Sequence, residues 1–123
     1  MANMLKSVRE EARVLLAAAG VTVYEYIPAR ISPPAAVMEP GNPYIEQGQT
    51  FSEFNVRLSV VLVAGQSSNE KATDDLDQLI CSAMDALDTF DIESVEQPAT
   101  YDFNGAQLLG ARVNLVTNKD LMI

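Results

Sequence analysis

The stretch that decides the fold is E-F-N-V-R-L-S-V-V-L-V-A, Glu53 to Ala64. Phe54, Val56, Leu58, Val60 and Leu62 recur at every second position, which puts them on one face of a β-strand. Val61 and Val63 break the alternation on the opposite face, so the far end of this strand is expected to be covered on both sides. Gly65 to Ser68 then reads as a turn. From Asn69 to Phe90 the apolar period changes from two to that of a helix: Ala72, Leu76, Leu79, Ile80, Ala83, Leu87 and Phe90 form one long stripe. A helix over that range is about 33 Å long at 1.5 Å per residue, and it is expected to be the main slab packed on the sheet.

Working outward, Asn3 to Ala19 carries Leu5, Val8, Ala12, Leu15, Leu16 and Ala19 on one helical face, with Lys6, Arg9, Glu10 and Arg13 on the other and Gly20 as the terminator. Val21 to Tyr26 reads as a strand running up to Pro28. Residues 28 to 50 hold five of the six prolines together with Gly41 and Gly48. There only Ala35 to Met38 is expected to form a short strand, and the rest a long Pro/Gly-rich loop. Tyr44, Ile45 and Phe51 argue against simple disorder in that loop. Past the second helix come a strand near Ile92 to Val95 and two more, Ala99 to Phe103 and Ala106 to Val116, joined by Asn104-Gly105 in a hairpin turn. The order of elements predicts a single α+β domain over residues 1–123, with two helices packed on one face of a largely antiparallel mixed sheet.

Composition narrows the chemistry. There is no histidine, which removes the usual general base and the commonest metal ligand. Seventeen acids against eight bases give a net charge of -9, which repels phosphate backbones and anionic membranes. The longest apolar runs, Val60 to Ala64 and Val14 to Ala19, are far shorter than the roughly 20 residues of a membrane span, and no leader pattern opens the chain. A cytoplasmic origin is expected. The single cysteine, Cys81, is expected among Leu79, Ile80 and Met84 as a small apolar core residue.

Asp74, Asp75 and Asp77 offer carboxylates for a divalent cation, but helical geometry points Asp75 about 100° away from Asp74, and acids in a first turn are already favoured by the helix dipole. Ser68-Asn69-Glu70-Lys71 matches an S-x-x-K string without its companion motifs and reads better as a helix cap. No phosphate loop or cysteine cluster occurs, so no catalytic residue, metal or cofactor is expected. Arg30, Glu39, Arg57 and Arg112 are charges in strand or loop settings. Arg57 and Arg112 either face water from the outer side of the sheet or pair with acids of a neighbouring subunit, a role that the planar guanidinium suits.

At the proline segment the sequence resembles a known family. The string P-P-A-A-V-M-E-P-G-N-P-Y from Pro33 to Tyr44, then G-Q-T-F at Gly48 to Phe51 and a strand, resembles the tail terminator proteins of long-tailed bacteriophages, particularly those of actinobacteria. N-E-K-A-T-D-D-L-D at Asn69 to Asp77 and Y-D-F-N-G-A-Q-L-L-G at Tyr101 to Gly110 are similar to that family as well, in the same order along nearly the whole chain. The resemblance implies a virion protein, assembled in the host cytoplasm, that forms a six-fold ring with copies of itself. Such a ring caps the tail tube protein, stops its polymerisation and meets the head–tail connector proteins, with DNA only passing through the lumen and no membrane involved. Pro40 to Phe51 is the expected contact loop. Tyr44 and Phe51 are its anchors beside Ile45, unless those rings pin the loop to their own domain; Arg30, Arg57 and Arg112 are further interface candidates. The apolar Leu121, Met122 and Ile123 are also expected to dock on a partner. Rival readings are another neck or tube component, a metal-dependent hydrolase using Asp74 and Asp77, and an acidic DNA mimic.

Overall fold

A computed structural model of the chain describes residues 4–26, 30–49, 52–65, 70–103 and 105–120. Helix α1, Met4–Ala18, buries Val8, Ala12 and Leu16, the centre of the expected stripe. It ends in a Schellman motif: the Val21 amide donates to the Leu16 carbonyl and the Gly20 amide to that of Ala17, each at 3.0 Å. Val21 is thereby turned into the core beside Leu16. The expected strand at Val21 to Tyr26 is shorter, β1 at Thr22–Tyr24, and pairs in parallel with the start of β2, Ala35–Gln47.

β2 departs from the expectation of a short strand followed by a loop. It begins where expected but runs on for 13 residues. Its pairing with β3, Glu53–Gly65, steps from Pro40↔Leu58 to Ile45↔Val56, five residues on β2 against two on β3, so three extra residues are accommodated in a bulge. The prolines that argue against a strand lie at the border of this bulge and within it, where the ladder is interrupted anyway. Gly41 is required there: a Cβ at that position would collide with the Cβ and backbone carbonyl of Arg57.

β3 is central, flanked by β2 and by β6, Ala106–Asp120, which extends four residues past the expected end at Val116. The opposite edge of β6 carries β4, Asp91–Val95, and β5, Ala99–Phe103, end to end. Phe103 faces Ala106 across a two-residue turn whose Gly105 has φ +90°, the left-handed conformation that the hairpin reading demands; Asn104 lies outside the described residues. The sheet order is β1-β2-β3-β6-β4, with β1–β2 the parallel pair and the other ladders antiparallel.

Helix α2, Glu70–Ala86, ends short of Phe90 and is about 26 Å long at 1.5 Å per residue. A turn then keeps Leu87 and Phe90 buried, and the Thr89 hydroxyl donates to Glu11 of α1 at 2.7 Å. Both helices cover the same face of the sheet. The main core joins Leu16 and Val8 of α1 and Leu76 and Ala83 of α2 to Leu58, Val60, Leu62, Val113 and Leu115 of the sheet. A second core lies on the other face at one end, where Ala35, Val37, Val61 and Val63 meet Phe103 and Leu108 of the hairpin. This is the two-sided burial that Val61 and Val63 announce. Among the described residues no helix is long and apolar enough to cross a membrane.

Candidate functional site: two unequal docking surfaces

The helix-free face changes character along its length. Beyond the second core it becomes a band of polar side chains, every second residue of β3 and β6, around a cleft of about 560 Å³ bordered by the bulge residues Pro40 to Pro43. Arg57 donates from Nε and Nη2 to the two oxygens of Glu93, at 3.1 and 3.4 Å, and from Nη1 to Glu46 at 2.9 Å. Hydrogen bonds from these two carboxylates hold its pKa above the ordinary arginine value. Arg112 lies over the Tyr101 ring and donates to Glu39 at 2.6 Å. Partial burial pulls its pKa down, but the Glu39 hydrogen bond together with the nearby charges of Glu39, Tyr101 and Glu96 leaves it above the ordinary arginine value. Between them Ser59 donates to Asn114, whose amide donates to Ser94 and Glu96. Arg57 and Arg112 therefore sit on the outward sheet face as expected, but acids of their own chain fill the place of a neighbour's acids. Two arginines against Glu39, Glu46, Glu93 and Glu96 leave this face at -2.

On the helix-bearing face a second cleft of about 520 Å³ opens at the β2 edge beneath α1. Its apolar lining is Met38, Pro40, Tyr44, Leu58 and Tyr26, joined by the charged Arg9, Glu25 and Glu39. The Arg9 Nη1 donates to the Tyr44 hydroxyl at 3.3 Å, and the guanidinium stands 5.7 Å from the centre of the Tyr26 ring. The Arg9 Nε is buried with no acceptor among the described residues. Nearby, Arg13 is taken by Glu25. Tyr44 packs against the main core, so of the two readings of this ring the described structure places it against its own domain. Ile45, one residue on, is 42% exposed, and Arg30 is exposed on the connection from β1 to β2. Phe51 and Leu121 to Ile123 lie outside the described residues.

Asp74, Asp75 and Asp77 are all exposed on α2, and Lys71 pairs with Asp75 at 3.0 Å in an i,i+4 bridge. Ser68 and Asn69 lie outside the described residues. Cys81 corrects the expectation of a core thiol: it is exposed. Ala83 and Leu79 face the core, and a residue two places from each is turned about 160° away from it at 100° per residue. Met84 is 42% exposed for a related reason, lying about 100° from Ala83.

Arg9 and Tyr26 were not singled out by the sequence. Arg9 reads as one more charge on the polar face of α1, although its place beside the buried Val8 puts it at the margin of the apolar stripe. Compared with known proteins, the chain matches no family model and no curated protein.

Proposed function

We propose that this chain is a structural subunit of a bacteriophage tail, a terminator that forms a ring with its own copies, caps the tail tube, stops its growth and meets the connector proteins of the head. The observation that carries the reading is the position of the segment bearing the strongest resemblance. Pro33 to Tyr44 supplies the bulged β2, and β1 pairs only with Ala35 to Val37, so the outer edge of β2 from Met38 to Gln47 has no strand partner among the described residues. Edge strands are where further chains add, and the Pro40 to Gln47 stretch is mostly exposed, including Ile45. Ile45, rather than Tyr44, is the anchor this geometry favours.

The charge agrees with a channel for DNA. Six copies at -9 each carry -54, and acidic walls do not hold a passing phosphate backbone. The reading assigns no catalysis, cofactor or membrane contact to the chain. Mixing the purified chain with tube subunits separates a terminator from its nearest rival, another tube component. A terminator gives shorter tubes with density at one end, whereas a tube subunit is incorporated along the length and extends it.

A further inference from the structure

We infer that the Arg9 cleft receives the outer flank of α2 from a second copy of this chain, so that copies join head to tail through two different patches. The inference rests on the ring reading and names the faces that would build it. The cleft asks for a partner with an apolar group and an acceptor for Arg9. Its walls are mostly apolar, its two carboxylates, Glu25 and Glu39, are held by Arg13 and Arg112, its Tyr26 ring is 66% exposed, and the Nε of Arg9 is buried without an acceptor among the described residues. Arg13, Arg57, Lys71, Arg112 and Lys119 each have a carboxylate within 4 Å; Arg9 has none among the described residues.

The same molecule carries the complement. Ser82, Asp85 and Ala86 of α2 line the groove shared with Leu15 and Ala18 of α1. Met84 points about 100° from the core to the other flank, and Asp77 and Glu70, at steps of seven residues, fall on the same stripe. All three are exposed. That flank is thus an apolar side chain in line with two carboxylates. The two patches also lie on opposite sides of the helix layer. α1 is tied to the β1–β2 side through Arg9–Tyr44 and Arg13–Glu25, and α2 packs over β3 and β6. Different patches on opposite sides make a heterologous contact, which closes into a ring when the rotation per copy allows. A like-with-like contact would set Arg9 against Arg9 and Asp77 against Asp77, and is disfavoured by charge.

Charge reversal tests this in solution. The mass of the full chain is followed by light scattering and sedimentation for the native sequence, for Arg9→Glu, and for Glu70→Lys with Asp77→Lys. Each variant is expected to weaken self-association by at least about tenfold while keeping the native circular dichroism. Their equimolar mixture is expected to recover the native mass, because every junction then matches or is reversed on both sides. Met84→Ser, on the exposed flank, gives the same weakening if Arg9→Glu fails to fold. Variants that assemble like the native chain, or a mixture of folded variants that stays dissociated, overturn the assigned contact and leave the ring reading standing. A native chain that remains monomeric at every concentration, alone and with tube protein, overturns both.

Discussion

Gly41 marks the point where the sheet edge has no room for a side chain. The bulge of β2 brings its backbone against Arg57, and a methyl group there must displace either the bulge or the central strand. Gly41→Ala is expected to destabilise the fold by about 1–3 kcal/mol, measured by urea unfolding. Arg112 presents the opposite case. Its ion pair with Glu39 is only partly shielded, and pairs of that kind contribute at most about 1 kcal/mol. Arg112→Met is therefore expected to leave the unfolding midpoint nearly unchanged, and a large loss would show that Glu39 is far more costly to leave unpaired than its exposure implies. Cys81 and Leu76 make a paired prediction. Cys81→Ser should change stability by less than about 0.5 kcal/mol, and the native thiol should react with a maleimide without unfolding. Leu76→Ala, at the centre of the main core, should cost about 2–5 kcal/mol.

At the level of elements, the regular patterns in the sequence translate directly. The alternation of β3, the stripes of both helices and the Asn-Gly hairpin each reflect a single dominant period or turn, and each is present in the fold. β2 was only half legible. Ala35 to Met38 has the composition of a strand, but Pro40 and Pro43 remove ladder donors, and nothing local reveals that a bulge accommodates them before Ile45 to Gln47 rejoin β3. The apolar stripe overshoots the end of α2 because Leu87 and Phe90 continue it into a turn that buries them: the Leu87 amide still donates to the Ala83 carbonyl at 2.9 Å, but that of Phe90 only closes a tighter turn onto Leu87 at 3.3 Å. The docking residues were the least legible. Which charges pair depends on register: Arg57 meets Glu46 and Glu93 from two other strands, and Arg112 meets Glu39 across 73 residues. Arg9 stands out only because the described residues leave its Nε without an acceptor. The hairpin gives an element-scale prediction. Gly105→Val forces a β-branched residue into φ +90° and is expected to lower the melting temperature by several degrees, about what 1–2 kcal/mol of backbone strain produces in a domain of this size.

At the scale of the whole molecule, helices cover one face, the other face carries a self-satisfied polar band, and a sheet edge with no strand partner among the described residues lies next to a mostly apolar cleft. The polar band has already spent its arginines on its own acids, which leaves the β2 edge, Ile45 and the Arg9 cleft as the surfaces with unfilled contacts. In the proposed role these surfaces serve to cap a tail tube. It is tested most directly by measuring the length distribution of tubes, by negative-stain imaging, as the purified chain is added to polymerising tube protein at increasing ratios. Mean length is expected to fall with the ratio, with rings of this chain at one end only. Tubes of unchanged length with bare ends, or tubes that lengthen with the chain distributed along them, would contradict it.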